Sequence, residues 1–131
     1  MDPRKLFQLS ELTGAAFRAE ASKLAKLNQS EMIIKAQISR LMEDRGALAK
    51  TERSSTEPAL RAGADARWHQ WIAARHTRLN AELLQIMTLK RFQMEKVRKA
   101  NGRSEAMDQL TLRARQAEAR DRAARKERDA D

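Results

Sequence analysis

The chain has 131 residues and a net charge of +9, with 34% charged residues, 4% aromatic residues and no cysteine. Without cysteine it forms no disulfides and no thiolate metal sites, which suits a reducing compartment. No apolar run approaches the roughly 20 residues of a transmembrane helix, and the opening segment MDPRKLFQLSELTG lacks the apolar stretch of a secretory signal. The abundance of Ala, Leu, Arg, Lys, Glu and Gln is typical of a long helix or coiled coil.

The first predicted element is a helix over residues of about 3–52. Asp2 is a good N-cap residue and Pro3 suits the first helical position. No further proline occurs until Pro58. Apolar residues recur mainly in steps of three, four and seven, which is the heptad signature of a coiled coil. The stripe comprises Leu6, Leu9, Leu12, Phe17, Leu24, Leu27, Ile34, Ile38, Leu41 and Leu48.

A turn is predicted at about residues 53–65, where serine, proline and glycine interrupt the pattern. Asp65 can cap the second helix, which is predicted to run over about 66–127. This helix is the longer of the two and also has an apolar stripe. Its members are Trp68, Ile72, Leu79, Leu83, Ile86, Met94, Val97, Ala100, Met107 and Leu110.

The sequence therefore predicts one all-α domain over residues 1–131, an antiparallel coiled-coil hairpin of two long helices. Each helix must bury its stripe, and a short turn places the two side by side. The expected register sets Ile38 opposite Leu79 and Glu31 close enough to pair with Lys90. The last 18 or so residues have no partner in the chain, so they form a solvated helix or a segment that packs against another molecule.

Three glycines interrupt the predicted helices. Gly46 is expected opposite Trp71, where a missing side chain makes room for an indole. Gly14 and Gly102 are expected at one level of the hairpin. Each costs a helix about 1 kcal/mol relative to alanine, so this level is predicted to be a close approach or a hinge.

Both tryptophans of the chain lie in the segment ADARWHQWIAARHTRLNAELLQIM, residues 64–87. Steps of three place Trp68 and Trp71 on neighbouring parts of one helical face. One interpretation is a plug that closes the hairpin near its turn. The other is an exposed anchor for a partner protein, because Trp and Arg dominate interface hot spots. The candidate partner-binding residues here are Arg67, Trp68, Trp71, Ile72, Arg75 and Leu79.

Catalytic, cofactor and metal sites are not expected. His69 and His76 lie seven residues apart, and two imidazoles without a third ligand make a poor zinc site. The sequence has no phosphate-binding glycine loop and no nucleophile with a matching base.

The positive charge is concentrated in residues 54–102, which contain nine Lys/Arg and four Asp/Glu. A basic protein of this kind can bind nucleic acid or an acidic protein surface. The cations are spread around the helix among acids, and no DNA- or RNA-binding motif is present. Nucleic acid is therefore a lesser alternative, a membrane-surface role is lesser still, and a generic coiled-coil scaffold is the other alternative.

A small, basic, cysteine-free hairpin of two long helices resembles the flagellar export protein FliJ and its injectisome counterpart YscO. The segment RWHQWIAARHTRLNAEL, which opens the second helix, carries the resemblance most clearly. The later segment KVRKANGRSEAMDQL is similar to the alphaproteobacterial branch of the family.

The resemblance implies a non-enzymatic stalk or adaptor of a type III protein export apparatus. Members of this family act in the cytoplasm beside the inner-membrane export apparatus. They bind the hexameric export ATPase and the membrane export gate, and some escort empty export chaperones. The terminal end of the hairpin enters the ATPase ring, and this end corresponds here to Leu6, Phe7 and Leu9 with Met107, Leu110 and the C-terminal tail. The gate contact corresponds to the surface around Trp68, Trp71, Ile72, Arg75 and Leu79.

Overall fold

The computed structural model describes residues 2–54 and 65–131, without the side chains of residues 53, 54 and 65. The chain is an all-α helical hairpin of α1 (Pro3–Ser54) and the longer α2 (Asp65–Ala130). The predicted turn at 55–64 and the capping side chain predicted at Asp65 lie outside the described residues. Among the described residues, neither helix has a stretch apolar enough to cross a membrane.

The start of α1 is fixed by its first residues. The Asp2 carboxylate oxygen Oδ1 accepts a hydrogen bond from the Arg4 backbone N–H at 3.2 Å, and the Asp2 carbonyl accepts one from Leu6 N–H at 3.2 Å. Pro3, which has no N–H to satisfy, takes the first helical position. The predicted N-cap is confirmed.

The chain divides into two compact units, each made of one part of α1 and one part of α2. The first unit comprises Met1–Leu24 and Phe92–Asp131. The second unit is Ala25–Arg91. In each unit the two helices meet along a narrow seam.

The seam of the second unit is apolar. Ile72 and Leu79 are each only 1% exposed and are the two fully buried large side chains of the described residues. They pack with Ile34 and Leu41, and further apolar side chains cover this cluster: Ile38, Met42, Leu48, Leu83 and Ile86. Burying a side chain of this size contributes about 1.5–3 kcal/mol. The predicted partners Ile38 and Leu79 lie in this one cluster.

The seam of the first unit is more polar. Its buried residues are Leu6, Gln93 and Thr111. The Ser10 hydroxyl donates to the Asp108 carboxylate at 2.5 Å, and the Thr111 hydroxyl donates to the carbonyls of Met107 at 2.8 Å and Leu6 at 3.5 Å. The beginning of α1 therefore meets the later part of α2, as antiparallel packing requires.

The burial pattern alternates four- and three-residue steps in both helices, except that the α1 position between Leu41 and Leu48 is the exposed Arg45, and this alternation is the period of a coiled-coil seam. In the first unit α1 contributes Leu6, Ser10, Thr13, Phe17, Glu20 and Leu24, and α2 contributes Gln93, Val97, Ala100, Ser104, Met107, Thr111 and Ala114. In the second unit the positions include Leu27, Glu31, Ile34, Ile38, Leu41, Leu48 and Glu52 on α1, and Ile72, His76, Leu79, Leu83, Ile86 and Lys90 on α2.

This phase corrects the predicted stripes at five positions. Leu9, Leu12, Trp68, Met94 and Leu110 are between 38% and 66% exposed. The seam positions beside four of them are taken by smaller or polar neighbours: Ser10, Thr13, Gln93 and Thr111. Four- and three-residue steps keep one line along a helix, so an apolar residue one place off that line points out of the seam.

Candidate partner-binding surfaces

The two tryptophans stack on each other at the surface of α2. Their ring centroids lie 5.2 Å apart with an angle of 22° between the planes. Trp68 is 41% exposed and Trp71 is 53% exposed. An offset stack of this kind is a favourable aromatic arrangement, worth about 0.5–1.5 kcal/mol. About half of each indole remains open to solvent, so the pair forms a preformed aromatic surface rather than a buried plug.

Positive side chains flank the stacked indoles. Arg67 is exposed beside Trp68, and Arg75 is half-buried one turn further along the helix. Arg75 follows Trp68 by seven residues and Trp71 by four, so the three side chains lie along one side of α2. We call Arg67, Trp68, Trp71 and Arg75 the tryptophan surface.

Ile72 and Leu79 lie behind the tryptophan surface. Both are 1% exposed in the apolar seam, so neither touches a partner while the helices stay packed. Of the residues that the sequence assigned to this contact, only the indoles and the arginines are therefore available on the surface. The seam residues instead hold the part of α2 that carries the indoles against α1.

A contact between the two helices lies next to the indoles. The Nε2 atom of His69 is 2.8 Å from the Glu52 carboxylate oxygen Oε1 of α1. The other histidine, His76, shares a 3.3 Å hydrogen bond with the Asn80 amide one turn on. Among residues 2–54 and 65–131, no three His, Asp or Glu side chains are grouped so that they could hold a metal ion.

The residues predicted for the terminal end divide between the seam and the surface. Leu6 is 8% exposed and lies in the seam, and Met107 is half-buried there. Leu110 is 46% exposed. Phe7 is also 46% exposed, and the guanidinium carbon of Arg115 lies 5.9 Å from its ring centroid, within the range of a cation–π contact.

The three glycines take ordinary helical conformations, since no described glycine has a positive φ. A methyl group added at Gly46 or Gly102 would meet nothing within 4 Å. The prediction that Gly46 makes room for Trp71 is therefore wrong. A methyl group at Gly14 would lie 3.5 Å from its neighbour Arg18 and 4.0 Å from the Ser104 hydroxyl, which are ordinary contact distances. The hinge role of Gly14 and Gly102 stays a prediction.

The seam of the second unit contains the predicted ion pair of Glu31 and Lys90. The Lys90 ammonium donates to Glu31 Oε2 at 2.9 Å, and Lys35 lies 2.9 Å from the other carboxylate oxygen. Glu31 itself is only 9% exposed. Its hydrogen bonds from Lys35 and Lys90 hold the pKa of this carboxyl below its ordinary value, although partial burial opposes the shift.

A second polar contact, in the first unit, was not predicted. The Gln93 amide donates to the Glu20 carboxylate at 2.5 Å and to the Glu20 backbone carbonyl at 2.9 Å. This hydrogen bond, helped by Lys23 and Lys96, lowers the pKa of the Glu20 carboxyl. The spacing of the sequence indicates that Gln93 belongs to the seam. Gln93 lies seven residues after Ile86 and seven before Ala100, which are both seam residues.

One buried side-chain oxygen finds no hydrogen-bond donor within the described parts of the chain. The side-chain carbonyl oxygen of Asn28 is buried and accepts no hydrogen bond from any described residue. A buried unsatisfied acceptor of this kind costs about 1–3 kcal/mol. Asn28 lies beside the seam position Leu27, three residues before Glu31.

The fold and these surfaces define a class of protein: a basic two-helix coiled-coil hairpin with an exposed aromatic surface on its second helix. None of the protein-family models, curated proteins or solved structures compared with this chain matches it.

Proposed function

We propose that this protein is a non-enzymatic stalk or adaptor of a flagellar or other type III protein export apparatus. On this proposal it acts in the cytoplasm at the inner-membrane export apparatus, where it binds the hexameric export ATPase and the export gate. The single observation that carries the proposal furthest is the stacked tryptophan pair. It adds an exposed, stacked aromatic surface to a hairpin fold of the kind that this family is known for.

The tryptophan surface supports a protein–protein contact on physical grounds. Indoles and guanidinium groups supply most of the binding free energy at many interfaces because they combine a large apolar area with hydrogen-bond donors. Trp68 and Trp71 already hold each other in place, so less rotamer entropy is lost on binding. On this proposal the partner is the cytoplasmic part of the export gate, and the terminal end of the hairpin with Phe7 and Leu110 contacts the ATPase ring.

The gate contact is tested with two double variants of the full chain. Trp68→Ala with Trp71→Ala removes the aromatic surface. Leu84→Ala with Met87→Ala removes two exposed apolar side chains elsewhere on α2 and serves as the matched control. In a binding assay with the purified cytoplasmic gate domain, we expect the tryptophan variant to lose at least about tenfold in affinity and the control to bind as the parent does. Equal binding by both variants, or no binding by the parent chain, would contradict the proposed gate contact.

A further inference from the structure

In the first unit, cations lie on both sides of the seam, but between residues 5–23 and 92–113 the exposed flank positions of one side hold no acid. The contact between Phe7 and Arg115, and the position of Gly14 beside Ser104, show which flanks of α1 and α2 share one side. Seam residues face each other, so the opposite flanks share the other side, as they do in antiparallel coiled coils. The two sides have very different compositions.

We call the second side the basic face. Its exposed positions on α1 carry Lys5, Leu9, Leu12, Ala16, Ala19 and Lys23. Its exposed positions on α2 carry Phe92, Lys96, Lys99, Arg103, Ala106, Leu110 and Arg113. No acidic residue occupies any of these positions. The acids of the same stretches lie elsewhere: Glu11, Glu105 and Asp108 on the first side, Glu95 on the back of α2, and Glu20 in the seam.

The cations of the basic face are largely free to bind another molecule. Lys99, Arg103 and Arg113 form no ion pair within 4.0 Å with a described residue. Lys23 approaches the seam acid Glu20 at 3.7 Å. By contrast, Arg98 on the first side is paired with Glu95 at 2.6 Å. From Phe92 to Arg113 the face extends about 30 Å along α2, at about 1.5 Å per residue.

Large apolar side chains lie among these cations. Phe92 is 68% exposed, Leu12 is 66% exposed, and Leu9 and Leu110 are 38% and 46% exposed. Leu9 and Leu110 adjoin Ser10 and Thr111, which are seam residues at the same end of the first unit. The face therefore has Lys5 and Arg113 at one end, leucines next to them, Lys23, Lys96, Lys99 and Arg103 further along, and Phe92 at the other end.

We propose that the basic face binds the surface of an anionic lipid bilayer. Cations attract anionic headgroups at about 1 kcal/mol each, and apolar side chains on the same face enter the boundary between headgroups and acyl chains. An acid on such a face would be repelled by the headgroups, and none occupies its positions within residues 5–23 and 92–113. Nucleic acid fits this face less well. Proteins hold single strands by stacking bases on several aromatic side chains, and this face has one. Its leucines would make no favourable contact with phosphate groups. This inference does not rest on the proposed export function, and Leu110, which both proposals use, would serve only one of the two contacts at a time.

The test measures co-sedimentation of the full chain with vesicles of phosphatidylcholine and phosphatidylglycerol in a three-to-one ratio, and with vesicles of phosphatidylcholine alone. We expect binding to the anionic vesicles only, with affinity that falls as salt is raised. Binding to neither vesicle, or to both equally, would overturn the proposal. Circular dichroism confirms that each variant below is helical before it is used.

Two triple variants separate the face from net charge. The basic-face variant replaces Lys96, Lys99 and Arg103 by Glu. The control variant replaces three arginines on the opposite side of the seam by Glu: Arg18, Arg115 and Arg122. Three reversals of two charges each take the net charge from +9 to +3 in both. We expect the basic-face variant to bind anionic vesicles at least about tenfold more weakly, and the control to lose less than about threefold. Equal losses would overturn the proposal.

The apolar contribution is tested by Phe92→Ser with Met94→Ser as its control, since Met94 is 53% exposed on the other side. At physiological salt we expect Phe92→Ser to weaken vesicle binding by about fivefold and Met94→Ser to leave it unchanged. A random-sequence DNA duplex is added as a competitor. If the duplex binds more tightly than the vesicles and Phe92→Ser has no effect on either, the face is a phosphate-binding surface and the bilayer proposal is wrong.

Discussion

The ammonium group of Lys90 donates to the carboxylate of Glu31 at 2.9 Å across the seam of the second unit, joining residues 59 positions apart in the chain. Both residues occupy seam positions that would otherwise be apolar. A charged pair in a seam rarely adds stability over an apolar pair, but it penalises any register that separates the two charges. The pair therefore helps to select the observed alignment of α1 and α2.

The first prediction concerns this pair. Glu31→Gln leaves the Lys90 ammonium without its counter-ion, so we expect a lower melting temperature than that of the parent. Replacing both Glu31 and Lys90 by leucine removes both charges together, and we expect a melting temperature equal to or above the parent's. Thermal unfolding followed by circular dichroism measures both. The explanation is wrong if the double replacement is less stable than the single one.

The second prediction is a pH dependence. The pKa values of Glu20 and Glu31 are lower in the folded chain than the ordinary value of 4.5. Such carboxyl groups stabilise the fold above their unfolded pKa, and that contribution is lost as the pH falls through the folded pKa. We expect the urea midpoint to fall from about pH 4.5 downward, and to fall less steeply in the variant Glu20→Gln with Glu31→Gln. Parallel pH profiles for parent and variant would show that other groups cause the loss.

The third prediction tests the apolar seam. Leu79 is 1% exposed and Leu84, five residues later, is 65% exposed. Leu79→Ala should cost about 2–4 kcal/mol of unfolding free energy because it leaves a cavity in the cluster with Ile34 and Ile72. Leu84→Ala should change it by less than about 0.5 kcal/mol. Equilibrium urea unfolding distinguishes them, and similar costs at both positions would contradict the assigned phase of α2.

The fourth prediction concerns the glycines. A methyl group at Gly46 or Gly102 meets no described atom, so Gly→Ala at either should raise the unfolding free energy by about 1 kcal/mol through helix propensity alone. We also expect Gly14→Ala with Gly102→Ala to stabilise the isolated hairpin. If the parent chain supports protein export, as proposed, and the stabilised variant does not, Gly14 and Gly102 act as a hinge, whereas equal export by both would argue against a hinge.

The sequence was sufficient for the fold class, for the N-cap at Asp2 and for the pairing of Glu31 with Lys90. Each of these depends on local chemistry or on the period of the heptad. Hydropathy alone was not sufficient at Ser10, Thr13, Gln93 and Thr111, because it favours the apolar residues beside them. Only the line along which both helices meet decides which neighbour is buried. A stricter count of four- and three-residue steps would have identified these four positions.

The tryptophans illustrate a second limit of sequence analysis. A spacing of three residues places Trp68 and Trp71 near each other but does not tell whether their side of α2 faces α1. That depends on the burial of Ile72 and Leu79, which turns the indoles to the flank of the seam. Ile72 and Leu79 were predicted to contact a partner, but because they are buried they instead pack α2 against α1 beneath the tryptophan surface.

The proposed export function is tested most directly by ATP hydrolysis. The rate of a purified export ATPase from the same organism is measured with increasing amounts of this chain, beside a variant truncated after residue 91, which lacks the part of α2 that packs with Leu6 and Ser10. The proposal predicts that the full chain raises the rate of ATP turnover and that the truncated variant does not. An unchanged rate at saturating amounts of a correctly folded full chain would contradict it.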